Sequence, residues 1–415
     1  MGAPPEERRK RLLFWAIFSL LLAGVALASA EAVASFLVPS YPARDIRPIT
    51  VTSSGDIVYN DWALRDRPRT FARPPGVTFR SVLVGDSFLE GHFLPTTLPA
   101  LIEKRWTDEG HRHREAINFG VSATGPRQYY YRIDDVALDL KPDAIVLAIY
   151  AGNDFVSVPF GGWIPPLIAE LPLPSVVGTV APRSTWFTVN RLGLSEIGRN
   201  NQRIAGELEM LNAWRDLPPS ELVDRIVAHV KRYYYPQLPE ARIREIFARG
   251  DNRFATAFVD RSQGREMLPG WLLNGMVDWE TGTWRMVHTP EEADRFEGGN
   301  MIAETLTWIE ATERLTRRNG IKLIVALLPV GIVDPDYMAF WRFWPNYLGA
   351  SLGADARHRR LAKELRQRAL PVVDLRETFD GLRGTYRLTD GHWTMKGTEI
   401  AADRLSRALA ALDAR

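Results

Sequence analysis

Hydrophobic and polar positions divide this chain into an N-terminal apolar segment and a later region in which short apolar runs alternate with amphipathic stretches. The first segment, Leu12 to Ala30, carries no charge and approaches the ~20 residues that a helix needs to cross a membrane. A basic run, Arg8 to Arg11, precedes it. Because basic flanks tend to stay in the cytoplasm, we predict a cytoplasmic segment at 1–11 and a signal anchor at 12–30. The protein is then expected to cross the inner (cytoplasmic) membrane once, with its main domain on the periplasmic or extracellular side.

Two other interpretations of the apolar segment are weaker. Ala28-Ser29-Ala30 resembles a signal-peptide cleavage site, but the apolar stretch exceeds the ~7–15 residues usual for a signal-peptide core. A helix buried in a protein core is disfavoured because no polar face interrupts the segment. The length therefore favours an uncleaved anchor.

The later region predicts an α/β fold. Apolar runs typical of strands lie at 81–85, 116–119, 143–150, 321–328 and 372–375. Stretches with helical spacing of apolar residues lie at 97–106, 126–140, 301–319, 357–369 and 395–412. This alternation, with short connections, predicts a parallel sheet between two helical layers, built from right-handed crossovers.

The same pattern predicts the domain organisation. A proline-punctuated linker at 31–76 leads into a catalytic domain whose parts, 77–155 and 301–415, flank a mainly helical insertion or cap at 156–300. Within the insertion, 220–233 and 240–249 have the pattern of amphipathic helices. The insertion also contains six tryptophans: Trp163, Trp186, Trp214, Trp271, Trp279 and Trp284. A glycan-binding cap is one hypothesis, but ordinary core packing is favoured because large aromatic residues dominate small helical cores.

Composition excludes several kinds of chemistry. The formal net charge is +2, so no basic field is present that could hold a phosphate backbone, and nucleic acid is not an expected partner. The chain has no cysteine, which excludes disulfides, thiolate catalysis and cysteine-ligated zinc. His111 and His113 suggest a metal site only weakly, because a polar loop between a helix and a strand explains them better. We therefore predict neither a metal nor a cofactor.

Three short strings fall at or just beyond the ends of predicted strands: Gly85-Asp86-Ser87, Gly152-Asn153-Asp154 and Asp390-Gly391-His392-Trp393. A serine hydroxyl needs a base to take its proton and fixed donors to stabilise an oxyanion, and these strings supply both. Ligands of parallel sheets bind outside the carboxyl ends of the strands, where the strings are expected to meet. Each string also has a structural interpretation as a helix cap or turn, and we assign such a role to Asp86 and Asp154.

These strings, together with Asn118-Phe119-Gly120-Val121-Ser122, resemble the four sequence blocks of the SGNH, or GDSL, hydrolase superfamily. The resemblance implies a flavodoxin-like three-layer α/β/α sandwich. It also implies that Ser87 is the nucleophile, that His392 is the base oriented by Asp390, and that the Ser87 amide, the Gly120 amide and the Asn153 side chain form the oxyanion hole. The usual pattern has two residues between the acid and the histidine. The tighter Asp-x-His-Trp form found here resembles envelope members related to alginate-type O-acetyltransferases.

The expected function is that of a serine esterase or O-acyltransferase. It would act through an acyl-enzyme on O-acyl groups, in particular O-acetyl groups, of an envelope or extracellular polysaccharide, with an acylated glycan or a small ester as its partner. One alternative is a non-catalytic glycan-binding or assembly component that retains the fold. Another, a flavodoxin-like nucleotide or flavin protein, is weak because no glycine-rich phosphate loop is present.

Overall fold

The computed structural model describes residues 5–37, 60, 64–91, 94–122, 124–155, 181, 184, 213–214, 216–259, 273, 276–277, 279–281, 300–389 and 391–414. It divides into two compact units. One unit comprises Met1–Arg47 and Phe160–Asn201, and the other comprises Pro48–Pro159 and Gln202–Arg415.

The described residues of the first unit include a long helix, α1 (Pro5–Leu37). Within it, Arg9–Ala34 is long and apolar enough to cross a membrane, and no residue of its most apolar part is buried. Near the end of this stretch, Glu31 accepts hydrogen bonds from the amide and the hydroxyl of Ser184, each at 2.8 Å. The predicted N-terminal apolar helix is confirmed.

The second unit is built on a parallel sheet. Its five strands are β1 (Phe79–Gly85), β2 (Arg114–Gly120), β3 (Ala144–Tyr150), β4 (Lys322–Leu328) and β5 (Val372–Asp374). Their order across the sheet, β2-β1-β3-β4-β5, is the flavodoxin-like one. β1 is buried along its whole length, as expected for a parallel strand covered on both faces. The predicted α/β class and parallel sheet are confirmed.

Helices fill the connections. They are α2 (Ser87–Glu90), α3 (Leu98–Asp108), α4 (Pro126–Asp135), α5 (Pro219–Tyr233), α6 (Glu240–Phe247), α7 (Arg249–Val259), α8 (Asn300–Arg318), α9 (Pro335–Trp341), α10 (Pro345–Gln367), α11 (Arg376–Phe379) and α12 (Met395–Asp413). α3 packs against α12, and α4 packs against α8. Because right-handed crossovers that move in opposite directions along a sheet lie on opposite faces, these two pairs form the outer layers.

Two predicted helices have different bounds in the structure. α4 ends at Asp135 because Val136 leaves the helical region (φ −134°), and a short 3-10 helix, Ala137–Leu140, completes the stretch that we predicted as one helix. α10 begins at Pro345 and not at Arg357, with proline in its first turn, where the missing N–H costs nothing.

The described part of the insertion belongs to the main core. Apolar side chains of α5, α6 and α7 join the same buried cluster as the sheet, and Trp214 is buried with them. Trp163, Trp186, Trp271 and Trp284 lie outside the described residues.

The end of the predicted linker also packs on the catalytic domain. The Arg69 side chain is almost fully buried, and it forms ion pairs with Asp66 at 2.9 Å and with Glu103 of α3 at 2.8 Å. The Arg65 guanidinium donates to the carbonyl of Glu90 at 3.1 Å. This short segment therefore supports the end of α2.

Candidate active site

The two residues predicted to begin the chemistry lie in contact. Ser87 directly follows the Gly85-Asp86 turn after β1 and is the first residue of α2. Its Oγ lies 2.8 Å from Nε2 of His392, although the two residues are 305 positions apart in the chain. Ser87 is 8% exposed and His392 is half-buried, so the pair lies in a shielded position that a small group can still reach.

A hairpin before α12 holds the histidine. The amide of Arg387 donates to the carbonyl of His392 at 2.8 Å, and the amide of Thr394 donates to the carbonyl of Thr385 at 2.9 Å. The Trp393 indole is stacked on Phe379 with ring centres 5.1 Å apart. These contacts fix the backbone on both sides of the imidazole.

A buried carboxylate supports the same hairpin. Asp334 precedes α9, is fully buried and accepts hydrogen bonds from the amides of Thr385 and Tyr386 at 2.7 and 3.2 Å. Gly391 adopts φ +76°, a conformation that glycine reaches without strain. Asp390, predicted to orient the imidazole, lies outside the described residues, and its role stays a prediction.

The aromatic residue after the nucleophile contacts the base. The Phe88 ring lies 4.9 Å from the His392 ring and 4.3 Å from the Tyr150 ring, measured between ring centres. Phe88 is buried, so the imidazole has an apolar wall on this side. Such a wall limits the ring positions that His392 can take.

The three predicted oxyanion donors differ in their positions and in their hydrogen-bond partners. The Ser87 amide lies at the start of α2, where helix amides have no acceptor within the helix. Asn153 lies exposed in the turn after β3. The Gly120 amide already has a partner, because it donates to Oδ1 of Asn118 at 2.9 Å. The expected use of this amide for an oxyanion would require that bond to break.

Asn118 is a supporting residue to which sequence reasoning gave no role. It is fully buried in β2, and its Nδ2 donates to the carbonyls of Arg65 and Leu89, each at 3.0 Å. One side chain thus ties β2 to α2 and to the end of the linker segment. Its place beside Gly120 in a recognised block was the available signal.

Two buried carboxyl groups lie on either side of Ser87 in sequence. Oδ1 of Asp86 caps α2 by accepting from the Phe88 amide at 3.0 Å. Burial raises the pKa of Asp86 to about 6, while this hydrogen bond and the charge of His392 act in the opposite direction. Oε2 of Glu90 accepts from the amide of Ser122 at 2.7 Å and from its hydroxyl. The structural role that we predicted for Asp86 agrees with this cap.

A third buried carboxyl group belongs to Asp154. Its Oδ2 accepts from the Tyr150 amide at 2.7 Å, and its Oδ1 lies 2.8 Å from the hydroxyl of Tyr129 in α4. Burial is the main cause that raises the pKa of Asp154 well above its usual range, and the negative charge of Asp86 adds to it. The predicted turn role agrees with the Tyr150 contact, whereas the contact with Tyr129 was not foreseen.

The aromatic cluster after β4 mostly packs in the core. Phe340, Trp341 and Trp344 are at most 2% exposed. The Tyr337 hydroxyl, however, lies 3.0 Å from the point that a β-carbon on Gly391 would occupy, which places this tyrosine beside the His392 hairpin. Phe340, Trp341 and Trp344 therefore pack in the core, and Tyr337 flanks the hairpin that carries His392.

Comparison with known proteins agrees with the predicted resemblance. A family model described as "SGNH hydrolase-like domain, acetyltransferase AlgX" matches residues 288–414, the stretch that contains His392. A curated protein of Pseudomonas syringae pv. tomato named "Probable alginate O-acetylase AlgJ" is 27% identical over 162 residues. The aligned stretch covers 37% of this chain and 37% of that protein. The resemblance to the SGNH superfamily and to alginate-type O-acetyltransferases is confirmed.

Solved structures with a distant likeness include a lipase and an esterase. A GDSL-like lipase from Bacteroides thetaiotaomicron gives a TM-score of 0.33 at 12% identity, covering 80% of this chain and 88% of that one. An acetyl xylan esterase gives a TM-score of 0.35 at 11% identity, covering 80% and 99%.

Proposed function

Because the chain carries an SGNH hydrolase-like domain, we propose that it is a serine esterase or O-acyltransferase that works through an acyl-enzyme. Its substrates are O-acyl groups, in particular O-acetyl groups, on an envelope or extracellular polysaccharide. The observation that carries the proposal is the 2.8 Å contact between Ser87 Oγ and His392 Nε2. At this distance the imidazole can take the hydroxyl proton as the oxygen attacks a carbonyl carbon.

In the first half-reaction, Ser87 Oγ bonds to the acyl carbon while its proton passes to Nε2 of His392. The carbonyl oxygen becomes an oxyanion, for which the Ser87 amide and the Asn153 side chain are the proposed donors. When the tetrahedral intermediate collapses, the bond to the alcohol oxygen breaks and the imidazolium returns its proton to that oxygen. The acyl group then remains on Ser87 as an ester.

In the second half-reaction, His392 takes a proton from an incoming hydroxyl, whose oxygen attacks the acyl-enzyme. Water as acceptor gives hydrolysis, and a sugar hydroxyl gives transfer. The description of the matched family as an acetyltransferase and the name of the AlgJ relative support a polysaccharide acceptor. Asp390 is proposed to orient the imidazole through its other nitrogen.

The alternative is a non-catalytic glycan-binding or assembly protein, and active-site labelling separates the two. The full chain in detergent should react with a fluorophosphonate at Ser87, and Ser87→Ala should abolish the label. Ser406→Ala is a matched control, because Ser406 is also buried but donates to a carbonyl within α12. A well-folded protein that takes no label would favour the binding protein.

Activity is then measured as acetate release from, or acetyl transfer onto, a panel of acetylated and bare glycans. Ser87→Ala and His392→Ala should each lower kcat by more than about 10³-fold, since nucleophile and base act as one unit. His113→Ala is the matched histidine control, because His113 contacts Asp413, the last residue of α12. Equal rates in wild type and both site variants would remove the catalytic assignment.

A further inference from the structure

The turn that carries Asn153 is closed by the residue after it. The amide of Asp154 donates to the carbonyl of Tyr150 at 3.0 Å, and the amide of Tyr150 donates to Oδ2 of Asp154 at 2.7 Å. These two bonds join the end of β3 to Asp154, so Gly152 and Asn153 are held between two fixed points. The position of the Asn153 backbone therefore depends on where the Asp154 carboxyl group lies.

A buried tyrosine fixes that carboxyl group from the other side. The Tyr129 hydroxyl lies 2.8 Å from Oδ1 of Asp154 and 3.0 Å from the carbonyl oxygen of Thr124, and both Tyr129 and Asp154 are almost fully buried. Thr124 belongs to the loop that follows β2. The contact thus bridges the loop that follows Gly120 and the turn that contains Asn153, two of the three predicted oxyanion donors.

The proton count favours one state of the bridge. The Tyr129 hydroxyl has one proton but lies within hydrogen-bond distance of two oxygens, so with an ionised Asp154 one of the two contacts has no proton. When Tyr129 donates to the Thr124 carbonyl, the 2.8 Å contact between Tyr129 Oη and Asp154 Oδ1 is satisfied by a proton on the carboxyl group. With a neutral Asp154, Oδ1–H donates to Tyr129, Tyr129 donates to Thr124, and Oδ2 accepts from Tyr150, so every contact is satisfied.

The charges around the carboxyl group favour the same state. The titratable groups that face this cluster come from four elements, namely Asp86 after β1, Glu90 of α2, Tyr129 and Arg132 of α4, and His392 before α12. Asp86 is the charged group that acts directly on Asp154, and it is negative when ionised. A second negative charge in this buried space would not be hydrated, and it would also repel an oxyanion that forms at Ser87.

We propose that Asp154 is a neutral carboxylic acid at pH 7 and is the positioning residue for the oxyanion side of the site. It acts through Tyr150 and Tyr129, which together hold the turn that presents Asn153. This inference rests on the proposed function, because the value of the position is the donor that Asn153 offers to an acyl intermediate. The protonation state itself stands independently of any activity.

Infrared spectroscopy tests the proton without a substrate. The difference between the spectra of the wild type and Asp154→Asn at pH 7 should contain a carboxylic-acid C=O band. Tyr129→Phe should shift that band, because the acid loses its acceptor. Asp355→Asn is the matched control: Asp355 is equally buried but forms an ion pair with Arg376 at 2.7 Å, so its difference spectrum should contain carboxylate bands. Carboxylate bands for Asp154 would overturn the proposal.

Kinetics test the positioning role. Asp154→Ala should lower kcat about 10²-fold with little change in KM, since a misplaced donor weakens the transition state and not substrate binding. Asp154→Asn should restore most of this loss, because its amide can donate to Tyr129 and its oxygen can accept from Tyr150. An Asn variant as poor as the Ala variant would overturn the neutral-acid role. If the wild type does not react with the fluorophosphonate at Ser87, the proposed function is wrong, but the infrared result on Asp154 is unaffected.

Discussion

At the residue scale, Gly120 shows how a position can support the site without touching a substrate. A β-carbon on Gly120 would lie 2.3 Å from the amide nitrogen of Glu90 and 2.6 Å from two atoms of Leu89. Two of these three atoms belong to the backbone of α2, so no side-chain rotation can make room. β2 therefore approaches the nucleophile's helix this closely only because the residue is glycine.

We expect Gly120→Ala to lower the free energy of unfolding by about 1–3 kcal/mol, the usual range for overpacking a core. Gly320→Ala is the matched control, because its β-carbon would meet open space and only its φ of +69° opposes the change. That strain costs about 1–2 kcal/mol. Urea unfolding followed by circular dichroism measures both variants in detergent. A Gly120 variant as stable as the wild type would contradict the tight packing against α2.

The pairing of Ser87 with His392 could be predicted because both residues lie in recognisable sequence blocks, although His392 lies in a hairpin before α12 and not at the end of a strand. The hydrogen-bonded bridge from Asp154 through Tyr129 to Thr124 could not be predicted in this way. Tyr129 occupies an apolar position of an amphipathic helix, and helical spacing does not reveal where its hydroxyl points. The partner of the Gly120 amide was equally hidden, because it depends on the rotamer of Asn118.

At the element scale, the five strands were predictable because continuous apolar runs of this length are typical of covered parallel strands. The start of α10 was not. Its first turns contain Gly349 and Gly353 and follow an aromatic cluster, which weakens the helical pattern before Arg357. Tertiary packing, and not local helix propensity, stabilises this part of the helix.

The same aromatic cluster joins the insertion to the catalytic fold. Trp344 is fully buried, and its Nε1 donates to the carbonyl of Ile246 in α6 at 2.9 Å. The Phe254 ring of α7 packs edge-on against the Trp344 ring, with ring centres 6.2 Å apart. Residues that we predicted as a mainly helical insertion or cap therefore share a core with the segment between α9 and α10.

Trp344→Ala should lower the free energy of unfolding by about 3–5 kcal/mol, because it removes a large buried ring. Trp344→Phe keeps most of the ring but leaves the carbonyl of Ile246 without this donor, and it should cost about 1–3 kcal/mol. Urea unfolding of the full chain in detergent, followed by near- and far-ultraviolet circular dichroism, measures both. A separate early transition for the insertion in the wild type would contradict the shared core.

At the scale of the whole molecule, α1 gives the chain a single candidate span among the residues that the structure describes. The candidate span runs from Arg9 to Ala34, so the basic residues Arg9 and Arg11 lie at its N-terminal end. Because positive flanks tend to remain in the cytoplasm, we propose that everything after α1 is exported. An exported site would act on a polysaccharide outside the cytoplasmic membrane, which is where the proposed substrate lies.

The absence of cysteine makes this orientation directly measurable with single-cysteine variants. Lys104→Cys places a thiol on α3 at a side chain that is 69% exposed and whose ion pair with Asp108 is also exposed. Glu7→Cys places one at the exposed start of α1. In spheroplasts, a membrane-impermeant maleimide should label the Lys104 variant at once and the Glu7 variant only after permeabilisation. The reverse order of labelling would contradict export, and a mature chain that has lost the Glu7 label altogether would show a cleaved signal peptide in place of an anchor.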